Sequence, residues 1–318
     1  MKLIVQIPCL NEEATLPETL KAIPRTIPGV DAVEVLVIDD GSTDATSEVA
    51  RAHGAEHIVR FTRRKGLAAG FMAGLDASVR LGADVIVNTD ADAQYAGSEI
   101  PRLIAPILSG EADMVIGDRD VGQVEHFSWP KRRLQTLGSW VVRKVSGTNV
   151  PDATSGFRAL NREAALHINI VSEFTYTLES IIQAGKKKLA IAHLPIESRE
   201  TRPSRLFSST WDYVKRSAAT ILRIYAMYEP LKVFLILGLT VFSVGLALGL
   251  RYAWFWWQGD VRGHLQSALA SAVLLIFGVM TLQWGILADV VAANRKLLED
   301  LLYRVRKMEL GPPGDRRG

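Results

Sequence analysis

The chain has 318 residues, 48% of them hydrophobic and 22% charged, with 37 Lys and Arg against 34 Asp and Glu for a formal net charge of +3. The apolar content excludes an intrinsically disordered chain, the near-even charge balance excludes a general nucleic-acid binder, and a single cysteine, Cys9, excludes a disulfide framework or a structural zinc cluster. The six histidines show no HExxH spacing, which rules out a zincin, and a mean hydropathy of +0.13 places part of the chain in lipid.

From the N-terminus, Leu3–Ile7 is a strand-like run, too short for a signal peptide and leading directly into Pro8 and acidic residues. Further strand-like runs are Val33–Ile38, His57–Phe61, Asp84–Val87 and Met114–Ile116. Helical stretches fall between them, around 13–23, 44–53, 67–81 and 99–109, the second of these with Thr43 and Asp44 as candidate caps. This alternation predicts an α/β domain with a Rossmann-like, mostly parallel sheet and helices on both faces, over residues 1–206. Gly66, Gly70 and Gly74, preceded by Arg63, Arg64 and Lys65, lie on one helical face, which close packing on the sheet explains better than phosphate binding. No internal repeat or low-complexity linker is visible, and only Gly311–Gly318 reads as disordered.

Residues 207–230 read as an amphipathic interfacial helix: Trp211, Val214, Ala218, Ile221, Leu222 and Tyr225 share one face, with Asp212, Arg216 and Arg223 opposite. An ordinary helix packed on the domain is the alternative. Two uncharged apolar runs follow, Val233–Leu250 and Leu265–Ala288, each near the ~20 residues that span a bilayer. Tyr252, Trp254, Trp256 and Trp257 form an aromatic belt, and the short link Gly259–Gly263 makes a hairpin of the two spans within residues 231–292. Lys and Arg in the N-terminal domain and at Arg295, Lys296, Arg304, Arg306 and Lys307 place both termini and the α/β domain in the cytosol. In residues 293–318, Leu297, Leu298, Leu301, Leu302, Val305 and Met308 form an apolar stripe, to be covered by the domain or by a second copy in a homo-oligomer.

Four of the strands end in polar residues: Asn11 and Glu12, Asp39 and Asp40, Asp90 and Asp92, Asp118 and Arg119. Ligands bind beyond the carboxyl ends of strands in open α/β sheets, so four polar ends on one edge predict a single site. In an extended backbone Asp90 and Asp92 face the same side. With Gln94 they offer oxygen donors suited to Mg²⁺ or Mn²⁺. Arg119, Arg132 and Arg133 are candidates for holding a phosphate, since guanidinium forks match its oxygens, although the Lys131–Arg133 run also reads as a solvated face.

The motifs Pro8-Cys9-Leu10-Asn11-Glu12-Glu13, Val37-Ile38-Asp39-Asp40-Gly41-Ser42-Thr43-Asp44 and Asp90-Ala91-Asp92-Ala93-Gln94 resemble those of family 2 glycosyltransferases of the GT-A fold. Asp152-Ala153-Thr154-Ser155-Gly156-Phe157-Arg158 and the stretch Arg202-Pro203-Ser204-Arg205-Leu206 narrow the resemblance to the polyprenyl-phosphate branch, which includes dolichol-phosphate mannose synthase and bacterial undecaprenyl-phosphate glucosyltransferases. The resemblance implies that Asn11 and Glu12, with the backbone around Pro8 and Leu10, line a nucleoside pocket and that Asp40 touches base or ribose. It implies that Asp90, Asp92 and Gln94 hold Mg²⁺ or Mn²⁺ against the donor diphosphate, and that Arg202 and Ser204 belong to a mobile element closing over the phosphates. The chain departs from many relatives in having Ala93 before Gln94, and Pro203 in that element. The implied activity is inverting transfer of a sugar from a nucleotide-diphosphate sugar to a polyprenyl phosphate at the cytosolic face of a bacterial or archaeal plasma membrane. A phosphate acceptor needs little activation, and Asp152 is the one candidate base. The competing readings are a hydroxyl-acceptor enzyme, a processive polysaccharide synthase, for which a QxxRW stretch and further spans are missing, and a non-catalytic membrane scaffold.

Overall fold

The structure, a computed structural model, describes residues 1–119, 129–171, 176–197, 219, 222–223, 225–259 and 264–310. They fall into two compact units, Met1–Ile221 with Leu301–Gly318, and Leu222–Asp300.

In the first unit, strands β1 (Lys2–Cys9), β2 (Ala32–Asp39), β3 (His57–Arg60), β4 (Val85–Asn88), β5 (Met114–Asp118), β6 (Arg158–Asn161) and β7 (Ile191–Pro195) form one sheet in the order β3-β2-β1-β4-β6-β5-β7. Each of the five runs expected from the sequence is a strand. The two that were not expected lack the usual signal, because β6 is four residues without a β-branched side chain and β7 is half-exposed and ends in proline. Strand β6 is antiparallel to both β4 and β5, whereas all other pairings are parallel. The register sets Cys9 against Asp39, Gln6 against Asn88, and Arg158 against both Asn88 and Ile116. Because β6 runs backwards, the segment that precedes it, Asp152–Phe157, arrives at the edge where the parallel strands end.

Helices α1 (Leu16–Ala22), α2 (Thr46–Ala52), α3 (Leu67–Arg80), α4 (Ile100–Leu108), α5 (Trp129–Ser146), α6 (Arg162–His167) and α7 (Thr177–Lys186) accompany the sheet. Alternate residues of β1, Leu3, Val5, Ile7 and Cys9, join Val35, Val37, Val85 and Val87 and the helix residues Leu16, Leu20, Leu103 and Ile104 in one buried core. Residue Gln6, of opposite parity, faces α3, where a β-carbon at Gly74 would lie 2.5 Å from its Oε1 and 3.0 Å from Ile38 Cδ1. The glycine face of α3 is therefore a packing surface. At α2 the Asp44 carboxylate accepts the Thr46 N–H (3.1 Å) and the Glu13 carboxylate the Ala45 N–H (2.9 Å), whereas Thr43 turns its own N–H to Asn11 Oδ1 (2.9 Å).

The second unit holds two long helices, α8 (Pro230–Trp257) and most of α9 (Leu265–Leu310). In each, only 11% of the most apolar window is buried, which separates them from the core helices of a water-soluble protein. Small residues bring them together: Ser271 Oγ donates to Gly245 O (2.7 Å), and a β-carbon at Gly278 would lie 2.8 Å from Phe242 Cβ. The last residues of α9 belong to the first unit. There Tyr303 donates to Glu163 and stacks on His167 with ring centroids 3.8 Å apart, and Arg306 donates to Ile168 O (3.1 Å). Within the first unit, Leu301, Val305 and Met308 of the apolar stripe are exposed and Leu302 is half-buried. The helix docks through Tyr303, Arg306, Lys307 and Leu310, because Glu163 offers an acidic partner that an apolar stripe cannot use. Most of the interfacial-helix residues, the link 260–263 and the tail 311–318 lie outside the described residues.

Candidate active site

The loops after β1 and β2 are tied to each other. Asn11, in the left-handed region at φ 56°, donates its N–H to Ser42 Oγ (3.0 Å) and accepts the Thr43 N–H. Asparagine tolerates that backbone better than most residues. Glu12 donates its N–H to Thr46 Oγ1 (2.9 Å), and its carboxylate accepts the Thr15 hydroxyl (2.6 Å). Pro8 and Leu10 are half-buried beside them. Asp39 is fully buried. Burial alone would raise its carboxyl, but the hydroxyl of Ser47, the Ser42 N–H and Arg60 hold it below the usual range.

Asp40, expected to touch base or ribose, is bound to the loop that follows β3. Its two oxygens accept the N–H groups of Lys65 (2.6 Å) and Gly66 (2.9 Å). The carboxylate thereby pins the Arg63-Arg64-Lys65 segment across Gly41, where a β-carbon would lie 2.8 Å from the Arg63 carbonyl carbon. Asp40 thereby fixes the segment carrying three cationic residues beside the loops after β1 and β2.

After β4 the chain turns instead of staying extended, which corrects the basis on which Asp90 and Asp92 were expected to share a face. Ala93 adopts φ 55°, and Asp92 Oδ1 accepts the Gln94 N–H (3.2 Å). The turn nevertheless keeps the two carboxylates electrostatically close: burial, then Asp92, push Asp90 up to about 6, with Arg119 and Arg158 opposing. Gly156 supplies the space for Asp90, since a β-carbon there would lie 2.9 and 3.0 Å from the two carboxylate oxygens. The peptide of Gly156 is held from both sides. Its N–H donates to Tyr95 Oη (3.2 Å), and its carbonyl accepts from Asn88 Nδ2 (2.8 Å), which also donates to Tyr176 Oη (2.9 Å). Asn88 in turn accepts from Gln6 Nε2 (2.9 Å).

A cation fits this donor set. The Asp92 charge disfavours ionisation of Asp90, an effect that a positive charge beside them would relieve, and carboxylate oxygens are hard donors. Among the described residues no group of three or more His, Cys, Asp or Glu gathers, so Asp90 and Asp92 are the carboxylates this loop would offer to a cation.

Arg119 and Asp152, expected as phosphate holder and candidate base, are engaged with each other. Arg119 Nε and Nη2 donate to the two Asp152 oxygens (2.7 and 3.1 Å), and Nη2 also reaches Thr154 Oγ1 (2.8 Å). Burial alone would raise Asp152, but the Arg119 guanidinium and the Thr154 hydroxyl and N–H hold it below the usual carboxylate range. A carboxylate so stabilised is a weaker base than a free one. Arg132 and Arg133 lie on α5, but their side chains are outside the described residues, as are Arg202 and Ser204 entirely. Sequence reasoning missed Thr19, Asn88, Tyr95 and Arg158. Asn88 was signalled as a polar residue closing an apolar strand, and Arg158, fully buried over the Tyr176 ring, left no signal beyond its motif.

Residues 4–168 match Glycosyl transferase family 2, and residues 229–293 match the GtrB C-terminal hairpin. The undecaprenyl-phosphate mannosyltransferase of Micrococcus luteus is 34% identical over 54% of this chain and 70% of its own length. The polyprenol monophosphomannose synthase of Mycolicibacterium smegmatis is 34% identical over 62% of this chain and 77% of its own. Among solved structures, glucosyl-3-phosphoglycerate synthase from Mycobacterium tuberculosis, in complex with Mn²⁺, UDP-glucose and phosphoglyceric acid, superposes with a TM-score of 0.55 at 25% identity, covering 70% of this chain and 79% of that one. With its mostly parallel sheet, its acidic loop at the strand ends and its apolar hairpin, the chain is a glycosyltransferase and belongs to glycosyl transferase family 2.

Proposed function

We propose that this enzyme transfers a sugar from a nucleotide-diphosphate sugar to the phosphate of a polyprenyl lipid, with inversion, at the cytosolic face of the membrane. The observation that carries this reading is the occurrence in one chain of the Asp90–Gln94 acidic loop at the sheet edge and of a hairpin that matches the GtrB family. The mannosyltransferase relatives, named for polyprenyl phosphate acceptors, support the acceptor class.

Asp90, Asp92 and Gln94 would hold Mg²⁺ or Mn²⁺, whose chemistry is to neutralise charge on the leaving diphosphate. The rest of the work falls to the chain itself. Asn11, Glu12, Pro8 and Leu10 line the edge toward the nucleoside, and Asp40 holds Arg63, Arg64 and Lys65 beside it. Arg119, fixed by Asp152, keeps a positive charge near Asp90, and Arg132, Arg133, Arg202 and Ser204 are proposed for the acceptor and donor phosphates. A phosphate monoester is largely dianionic at neutral pH, its second pKa being about 6, so it attacks without a strong base. The pairing of Asp152 with Arg119 accords with that economy.

The test is to incubate membranes containing the enzyme with a panel of labelled nucleotide sugars and polyprenyl phosphate, then to extract the lipid. Label in a single sugar phospholipid supports the proposal. Label appearing only in a water-soluble or hydroxyl-linked product favours the hydroxyl-acceptor reading, and no transfer from any donor favours the scaffold.

A further inference from the structure

We infer that Thr19, on α1, is a positioning residue for Asp92, acting through the two peptide groups that flank it. The inference rests on the reading that Asp90 and Asp92 hold a divalent cation. Thr19 is 5% exposed and lies 72 residues before Ala91 in the chain. Its hydroxyl donates to Ala91 O (3.0 Å) and accepts the Ala93 N–H (3.1 Å), so one atom closes a bracket around Asp92. A hydroxyl is among the few side-chain groups that donate and accept at a single oxygen, and the β-branched side chain of threonine restricts χ1, which fixes where that oxygen sits.

The bracket matters because of the backbone it encloses. Ala93 stands at φ 55°, in the left-handed region, which costs an alanine free energy and persists only where the surroundings hold it. Within the turn, the Asp92 carboxylate accepts the Gln94 N–H, a contact between neighbours that does not by itself anchor the turn to the domain. Thr19 provides such an anchor from a separate helix, and its neighbours Leu16 and Leu20 are buried in the core. Without the hydroxyl the Ala91 carbonyl and the Ala93 N–H lose this partner, and the turn that carries Asp92 loses its tie to α1. Thr19 has no role in the chemistry itself and touches neither carboxylate.

The test compares Thr19→Val, which keeps the shape and removes the hydroxyl, with Thr19→Ser, which keeps the hydroxyl, in the full-length protein in lipid nanodiscs. Binding of Mn²⁺ alone is read from the electron paramagnetic resonance signal of the free ion, beside an Asp92→Asn control. The expected result is at least tenfold weaker Mn²⁺ binding in T19V, binding within about twofold of the parent in T19S, and a rise in the apparent KM for Mn²⁺ larger than the fall in kcat. Where T19V does not fold, Thr19→Ala removes the same hydroxyl and takes its place. Equal Mn²⁺ binding by T19V and the parent, with D92N impaired, overturns the positioning role and leaves the metal reading intact. Equal impairment of T19V and T19S assigns the effect to packing of the methyl group and also overturns it. Unchanged Mn²⁺ binding in D92N overturns the metal reading and, with it, this inference.

Discussion

Gly156 faces the Asp90 carboxylate so closely that a β-carbon at that position would lie 2.9 Å from one oxygen and 3.0 Å from the other. The glycine cannot retreat, because Tyr95 takes its N–H and Asn88 donates to its carbonyl. Gly156→Ala is therefore expected to displace Asp90 rather than the peptide. Overpacking of this kind costs about 1–3 kcal/mol, and the larger effect should fall on turnover, with at least a tenfold loss that added Mn²⁺ only partly restores. A metal titration of kcat/KM in G156A and the parent checks this, and an unaltered metal dependence would show that Asp90 does not need the space.

The ion pair of Arg119 and Asp152 makes a second expectation. The two side chains are 10% and 2% exposed, and breaking a buried pair by removing one charge costs about 3–5 kcal/mol. Asp152→Asn should lower the denaturation midpoint accordingly and reduce kcat, yet leave the shape of the pH–rate profile unchanged, because the Asp152 carboxylate is committed to Arg119. Arg119→Lys should not restore the parent rate, since an ammonium cannot reproduce the two-nitrogen contact. The sign of the pH effect follows from a depressed carboxyl: the stability contributed by Asp152 is present above its unfolded value of about 3.9 and is lost as pH falls through its lower folded value. Loss of the acid limb from the D152N rate profile would return Asp152 to the role of base.

The sequence carried strands β1 to β5 well, because they combine β-branched apolar runs with polar ends, as Val37-Ile38-Asp39-Asp40 does, whereas the half-exposed β7 ends in proline and shows no such pattern. It carried the acidic loop as a motif but not its shape, since nothing in Asp90–Gln94 announces a left-handed Ala93. What it hid was long-range. The antiparallel β6 has too few residues to show a period, yet its direction is what delivers Gly156 to Asp90. Asp40 and Asp152 look from the sequence like free carboxylates, and only the fold reveals that Lys65, Gly66 and Arg119 already occupy them.

Asp90 gives a third expectation. Its carboxyl is pushed up to about 6, first by burial and then by Asp92. A carboxyl raised on folding disfavours the folded state once ionised, so the metal-free protein should lose stability as pH rises from about 4 to about 6. A bound cation relieves that cost only where Asp90 is ionised. The rise in Tm produced by Mn²⁺ should thus be several degrees at pH 7.5 and small at pH 5.5, and Asp90→Asn should abolish the difference. Differential scanning fluorimetry at the two pH values decides it, and equal shifts at both would separate the cation from Asp90.

The last expectation concerns the hairpin. Truncation after Tyr228 looks like the direct test of the spans, but it also removes Tyr303, Arg306 and Leu310, which pack on the first unit against Glu163, Ile168 and Arg162. A loss of all activity in that variant would not single out the membrane segment. Gly278→Leu is cleaner. A β-carbon at Gly278 would already lie 2.8 Å from Phe242 Cβ, so a leucine must push α8 and α9 apart while leaving every motif of the α/β domain in place. If the hairpin serves to gather and orient a lipid acceptor, G278L should lower turnover on a long polyprenyl phosphate in membranes about tenfold or more, through lost local concentration and orientation. A short, water-soluble prenyl phosphate reaches the domain by diffusion and should be turned over at close to the parent rate. Measuring both acceptors in both proteins separates the cases. Equal losses on the two acceptors would mean that the spans support the folded domain itself, and no loss on either would reduce them to an anchor whose internal packing is irrelevant to catalysis.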